Sequence, residues 1–439
     1  MDDSAYETMV SRFGEGDRNV MSELEAEARR RNDRRILAAI ELRGGPSVRE
    51  ARETGDRLAL GRAIAGRAGL WRTWDPLVAE VSRWPDDDAS RAAVAGLAHA
   101  LDELGLDDLR EAPAAWWNAA QAGHAPVGWP LVRRLIFRER QGPEPLVPCA
   151  VAHSLAHLTL IDADEHNLPP AMLAGARHLR SLAYEFASTA ARPADPVDAF
   201  AVLAGTLHQL SLSLRHAATE LSALRALTAV TDLHIHFGFA EFGARDPLAA
   251  LAGMALTSLR LGGRAPLPSL AVVGQLPALR VLHVDRAPAD TAPLARLAQL
   301  DELLVGRAAT LPALPASLRS LHVVESDGLR SSEQLASLAH LEILRLTDCR
   351  ALQALHLAPL TALRELAISG PPPDAPAGAS RLELIDLGAA RPLEELRLYG
   401  LPALRELRFT AGRPALLRRI TFEDCPALVV PADLASPSP

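Results

Sequence analysis

Cys149, His153 and His157 stand at i, i+4 and i+8, with Asp162, Asp164, Glu165 and His166 just beyond them. On a helix that spacing lines three metal-capable side chains along one face, and a thiolate with two imidazoles is most of a zinc ligand set. Against this, His157 falls inside the phrase Leu155-Ala-His-Leu-Thr-Leu160, whose alternation is that of a strand, and no second Cys or His pair completes four ligands. A turn carrying a surface histidine explains the same residues, and the expectation is no metal and no cofactor. His234-Ile-His236 likewise puts two imidazoles on one face of a strand, an arrangement that more often faces solvent than a metal.

A second set of residues is periodic. Taking the centre of each strand-like phrase from Leu155 onward gives Thr159, Ala183, Ser211, His234, Arg260, His283, Leu304, His322, Arg345, Ala367, Arg397 and Thr421, so six of twelve are His or Arg. Asp232, Glu302, Glu365 and Glu395 fall in a neighbouring column. Such columns support two readings. In one, the sheet is merely solvated and its charges pair across strands, each pair worth about 0.2 to 1 kcal/mol. In the other, the arginines bind carboxylates of an acidic or mixed-charge protein segment bidentately, and the histidines make docking pH-sensitive. Arg260, His283, His322 and Arg345 lie centrally and are the strongest candidates for such a role.

Catalytic chemistry finds little support, and no catalytic residue is expected. Cys349 and Cys425 sit in the turns Thr-Asp-Cys and Glu-Asp-Cys, where a small sulfur is structurally useful, and only Cys149 lies outside the repeats. The chain has no lysine, so all 46 basic residues are arginines. That excludes Schiff-base chemistry on lysine and a phosphate loop ending in Gly-Lys-Ser/Thr. Neither a Gly-x-Ser-x-Gly elbow nor a His-Glu-x-x-His motif is present. The missing lysine and scarce asparagine together read as the codon bias of a GC-rich genome.

Arginines number 21 against 25 acids before residue 150 and 25 against 29 after it, for a net charge of -8. Neither part carries the basic footprint of a nucleic-acid or anionic-membrane binder. The acidic start, MDDSAYETMV, lacks a long apolar stretch, and no run approaches the roughly 18 apolar residues of a membrane span. Three scattered cysteines do not make a disulfide framework. These features predict a soluble, cytoplasmic protein.

What must position the periodic residues is the phrase Leu-x-x-Leu-x-Leu. Allowing apolar stand-ins, it begins at Leu155, Leu179, Leu207, Val230, Leu256, Leu279, Leu300, Leu318, Leu341, Leu363, Leu393 and Leu417. A coil of roughly 20 to 29 residues cannot bury its own leucines, so coils must stack to close one apolar core. The stretches from Thr291 and from Ser331 read as short helical returns capped by those residues. The phrase recurs at half-period from Leu352, Leu382 and Leu404. Too short to complete a coil, these segments are expected to be extended and to lie on the opposite wall. Pro371 to Pro376 is read as an insertion and residues 431–439 as a disordered tail.

Residues 1–150 are different. All six tryptophans, Trp71, Trp74, Trp84, Trp116, Trp117 and Trp129, lie there, which implies a separate core. Met21 to Leu42, Val48 to Leu70 and Arg91 to Leu104 read as helices, with Asp86, Asp87 and Asp88 favouring the start of the last. Proline and glycine recur from Glu111 to Pro148, which therefore reads as short helices and turns.

With twelve phrases between Leu155 and Cys425, the chain resembles the leucine-rich-repeat superfamily over some three fifths of its length. The resemblance implies an α/β fold, a curved leucine-rich-repeat solenoid with a parallel concave sheet, and a role in binding protein rather than in catalysis. The backing is expected to change from helix to strand along the array. The family usually places Asn or Cys three residues after the last leucine. Here only Cys349 and Cys425 fit, while Ala163, Gly238, Ala287 and Leu401 take the equivalent places. The expected organisation is an all-α, Trp-rich domain over 1–150 that caps the array, and a solenoid over 151–430. The expected function is that of a bacterial adaptor gripping a protein partner on its concave face. The alternative is an enzyme, or a regulatory subunit of one, with its activity in residues 1–150.

Overall fold

The computed structural model describes residues 3–15, 17–67, 74–105, 109–138, 152–161, 173, 175–185, 197–215, 220–238, 241–242, 246–311, 314–371, 380–388, 392–410 and 412–430. Trp71, Cys149, the acidic stretch at 162–166, residues 372–376 of the proline-rich insertion and the tail lie outside the described residues. The chain folds into two compact units, Met1–Ser188 and Thr189–Pro439.

The first unit opens with helices α1 (Asp3–Gly14), α2 (Met21–Arg31), α3 (Arg34–Gly44), α4 (Val48–Thr54), α5 (Arg57–Arg67), α6 (Trp74–Val81), α7 (Asp88–Glu103) and α8 (Ala114–Gln121). The single helix expected from Met21 to Leu42 is thus two. Asn32 turns left-handed at φ 55° and ends α2, and Asp33 starts α3 by accepting a hydrogen bond from the Ile36 amide. Gly55, at φ 70°, divides the stretch from Val48 in the same way. Asn and Gly adopt this backbone region at little steric cost, so the apolar periodicity ran on through two real breaks. Near the expected acidic start, the Asp87 carboxylate caps α7 by accepting from the Ser90 amide.

Phe13, Leu24, Leu77 and Leu97 are fully buried at the centre of this unit. Trp74 and Trp116 meet edge to face at 6.2 Å, and Trp117 lies as far from Trp129. The indole N–H groups of Trp74 and Trp116 donate to the Glu111 carbonyl and the Ser82 hydroxyl, each at 2.9 Å. Aromatic bodies are buried here while their polar tips stay satisfied.

The stretch expected to hold only short helices and turns contains a strand, β1 (Arg134–Arg138), parallel to β2 (His157–Ile161), which pairs in turn with β3 (Ser181–Glu185). The cause is visible in the residues. Val132, Leu135 and Phe137 repeat the inward spacing of Leu155, Leu158 and Leu160, and none of the six is more than 5% exposed. Val and Phe in place of Leu hid the phrase. The parallel strands therefore begin ahead of residue 150, and the first three belong to the same compact unit as the helices.

In the second unit, β4 (Gln209–Leu214), β5 (Asp232–Phe237), β6 (Ser258–Gly263), β7 (Val281–Val284), β8 (Glu302–Gly306), β9 (Ser320–Val324) and β10 (Ile343–Thr347) pair in chain order. The sheet continues through β12 (Glu365–Ser369), β14 (Glu395–Tyr399) and β16 (Arg419–Glu423), all parallel. The skipped strands β11 (Ala354–His356), β13 (Leu384–Asp386) and β15 (Glu406–Arg408) form a separate three-stranded sheet. These are the half-period segments, so the backing does change along the array. Inward leucines such as Leu256, Leu259 and Leu261 are at most 2% exposed, and each contributes about 1.5 to 3 kcal/mol by leaving water.

The returns are tighter than expected. Ala292–Arg296 and Ser332–Leu335 are 3-10 turns, not α-helices. Thr291 does not cap its turn, and its hydroxyl instead donates to the Thr310 carbonyl of the next coil at 2.9 Å. After several strands the backbone goes left-handed, at Arg307, Glu325, Asp348 and Asp424. The residue that follows can then bond back along the array. Ser326 Oγ donates to the Ala308 carbonyl at 2.7 Å, Cys349 Sγ to Val323 at 3.8 Å and Cys425 Sγ to Leu398 at 3.7 Å. The two cysteines hold the turn positions expected of them, and Ser326 joins them.

Candidate functional site

One line of registered residues crosses the second unit. Ser211, His234, Arg260, His283, Leu304, His322, Arg345, Ala367, Arg397 and Thr421 each pair with the next. Within the first unit, Thr159 pairs with Ala183. Asp232, Glu302, Glu365 and Glu395 fall in the adjacent column, in register with Ser258, Val281, Ser320, Ile343 and Arg419. Adjacent strands put these groups about 4.8 Å apart, close enough for each charge to act on its neighbours.

Three of the six basic residues are already paired. His283 Nε2 lies 2.7 Å from Glu302 Oε1, and Arg345 Nη2 lies 2.9 Å from Glu365 Oε1. Both contacts are diagonal, because each acid stands two residues before the register partner on the next strand. For Arg397 that diagonal position is Arg419, so its guanidinium folds back on its own strand to Glu395 Oε1, at 2.6 and 2.9 Å.

The remaining three have no diagonal acid. Arg260 faces Val281 there, His322 faces Ile343 and His234 faces Ser258. Arg260 is exposed and forms no hydrogen bond or ion pair among the described residues. His322 Nε2 meets Thr347 Oγ1 at 3.1 Å and His234 Nδ1 meets Ser211 Oγ at 3.3 Å. Burial first, then the positive charge of Arg260 or Arg345, lowers the pKa of these two imidazoles below the ordinary 6.5. Both are therefore neutral at pH 7. Two residues beyond Arg260, position 262 is glycine because the side chains of Asp285 and His236 close over it. A Cβ there would come within 2.8 Å of Asp285 Oδ2 and 3.0 Å of His236 Cδ2.

The sequence-derived metal arrangement does not assemble as a helix face. His153 lies in a turn and His157 in β2. Among the described residues no three His, Cys, Asp or Glu side chains gather as a metal would require. Burial raises the Cys349 thiol to about 11 and pushes that of Cys425 up as well, which leaves both protonated at neutral pH, the reverse of an activated nucleophile.

A further ladder went unread in the sequence. The residues immediately before successive strands alternate in sign: Arg280, Asp301, Arg319, Glu342, Arg364, Glu394. They pair across coils, Arg280 with Asp301 at 3.3 Å, Arg319 with Glu342 at 2.6 Å and Arg364 with Glu394 at 2.8 Å. Each of these exposed pairs contributes little stability, but the alternation marks a consistent order of coils.

Parallel strands stacked in chain order, with leucines or other apolar residues at the inward register positions, are the leucine-rich-repeat fold, and this chain has it. No family model and no curated protein matches the chain. Among solved structures it is similar to an internalin, InlF, of Listeria monocytogenes, with 16% identity over 67% of this chain and 88% of that one and a TM-score of 0.39. Similar too are a leucine-rich-repeat protein of Leptospira interrogans, 15% identical over 66% of this chain and 83% of that one (TM-score 0.36), and Toll in its complex with Spätzle from Drosophila. The Toll match is 18% identical over 65% of this chain and 40% of that one, with a TM-score of 0.39. These likenesses concern the fold alone. No helix among the described residues is long and apolar enough to cross a membrane.

Proposed function

We propose that this is a bacterial, cytoplasmic adaptor without catalytic activity of its own, and that it docks a protein partner on the concave sheet face of its second unit. The observation that carries this reading is the open guanidinium of Arg260 in a column whose other arginines, Arg345 and Arg397, are held by Glu365 and Glu395. A carboxylate from the partner supplies what Val281 does not. Arg binds carboxylates bidentately. His234 and His283 flank Arg260 in register and form the rest of the contact. The paired bases and acids around it, Glu302 and Glu365 among them, are preorganised, so little side-chain freedom is lost on binding.

The partner segment is acidic at its centre and mixed in charge toward its ends. Affinity capture of the tagged chain from its host, repeated with Arg260→Glu, tests this. The reading expects a stoichiometric protein that disappears with the reversal. A partner captured equally well by both chains contradicts it.

A further inference from the structure

Strand β16 stands at the edge of its sheet. It has β14 on one side and, among the described residues, no strand on the other. The Arg419 amide donates to the Glu394 carbonyl at 3.2 Å, and the Glu423 carbonyl accepts from the Gly400 amide at 3.0 Å. Alternate residues of a strand turn their peptide groups to opposite sides. Arg419, Thr421 and Glu423 therefore bond to β14, and the N–H and C=O groups of Ile420 and Phe422 face the open edge, a template for another strand.

Apolar surface gathers at the same place. Ile420 and Phe422 are in register with the fully buried Leu396 and Leu398, yet both are only half-buried. Leu416, Val429 and Val430, which flank β16, are 45%, 77% and 38% exposed. They are three of the five large apolar side chains that stand exposed among the described residues. In a stacked array each coil is covered by its neighbour, and this coil lacks that cover among the described residues.

The residues of the edge state what fits it. Arg418-Arg419-Ile420-Thr421-Phe422-Glu423-Asp424 inverts its charge about Thr421, with two arginines before that residue and two acids after it. Arg419 is otherwise held only by Glu395 at 3.8 Å, its side chain 76% exposed. The Glu423 carboxylate forms no ion pair or hydrogen bond among the described residues. Laid antiparallel on a second copy about a two-fold axis at Thr421, Arg419 meets Glu423 of that copy, Ile420 meets Phe422, and Arg418 lies toward Asp424. The backbone accepts this register. Ile420 and Phe422, whose peptide groups face the edge, exchange N–H to C=O bonds, while Arg419 and Glu423 take the non-hydrogen-bonded positions, where side chains stand closer. A shift by two residues in either direction keeps the hydrogen bonds but sets Thr421 opposite Arg419 or Glu423, and the charge match is lost.

We infer that the chain forms a symmetric dimer by antiparallel pairing of β16 with β16 of a second copy. A two-fold contact uses one patch twice, so both charge pairs form together and the apolar side of the last coil packs on its own copy. Opposite charges directly across an antiparallel pair are favourable and like charges are not. The contact shares no residue with the one proposed around Arg260, so the two proposals stand or fall separately.

Sedimentation equilibrium of the full chain across micromolar concentrations tests the inference, and twice the monomer mass is expected. Arg419→Glu and Glu423→Arg each set like charges face to face and should weaken self-association at least about tenfold, because symmetry counts every change twice. Both side chains are exposed, so the fold is retained, as circular dichroism will report. The double variant Arg419→Glu/Glu423→Arg restores both pairs and should dimerise as the natural chain does. The two single variants, mixed in equal amounts, should form a mixed dimer, since each then meets its opposite charge across the axis. A chain that is monomeric throughout overturns the inference, as does a dimer unaffected by the single reversals. So does a double variant that stays monomeric, or single variants that do not associate when mixed.

Discussion

The guanidinium of Arg345 lies 2.9 Å from the carboxylate of Glu365, which stands two residues before Ala367, the register partner of Arg345 on the next strand. The same diagonal joins His283 to Glu302. A base pairs across strands where the diagonal residue is acidic, and Arg397 folds back onto Glu395 of its own strand. Arg260 has neither acid, with Val281 on the diagonal and Ser258 two residues before it.

That relation can be written into the chain. Val281→Glu supplies the missing diagonal acid, and the resulting contact to Arg260 should weaken the partner about tenfold, equivalent to 1.4 kcal/mol. Glu365→Gln does the opposite by opening Arg345, and should strengthen an acidic partner. Calorimetric titration of both variants with the captured partner checks the pair of signs.

His234 and His322 make stability depend on pH. Their folded pKa values lie below 6.5, so the unfolded chain takes up protons first as pH falls. The stability they contribute is complete above that value and is lost as pH drops through the folded pKa. Urea midpoints measured from pH 7.5 downward should fall through this window, and less steeply in the His234→Gln/His322→Gln double variant. Parallel curves would show that the two rings do not couple to folding.

Much of the array was legible because its signal is periodic and its consequence obligatory. Twelve phrases with leucines at fixed offsets became twelve strands, and the register placed His234, Arg260 and Arg345 in one column. The half-period phrases became β11, β13 and β15. What escaped lies where another residue performs the same task. Val132 just before β1 and Phe137 within it stand for leucines, and Ser326 holds a turn where Asn or Cys was sought. The pairing state of each base was also hidden. It depends on a residue some twenty positions away in sequence, brought to the diagonal only by strand register.

The thiols offer a separate check. With Cys349 raised to about 11 and Cys425 also raised by burial, both should alkylate slowly with iodoacetamide at pH 8 in the folded protein and rapidly in urea. Peptide mass spectrometry resolves the two sites. Fast labelling of Cys349 in the native chain would mean that its turn is open.

Close backbone approach makes Gly306 sensitive. A Cβ there would sit 2.2 Å from the Asp285 carbonyl oxygen, whereas one at Gly205 meets nothing within 4 Å. Gly306→Ala should cost about 1 to 3 kcal/mol through forced backbone shifts, and Gly205→Ala should change stability by less than about 0.5 kcal/mol. Thermal melts of the two variants side by side give the comparison.

The central claim is that Arg260 anchors a protein partner, and the most direct measurement is the affinity of that partner for three charge reversals in one assay. Arg260→Glu removes the open cation, Arg345→Glu removes one already paired with Glu365, and Arg296→Glu reverses an exposed charge on a return turn. The account predicts a loss of at least about a hundredfold for the first, near 2.7 kcal/mol, a smaller loss for the second and none for the third. Equal losses for all three, or an Arg260→Glu chain that binds as the natural one does, would contradict it.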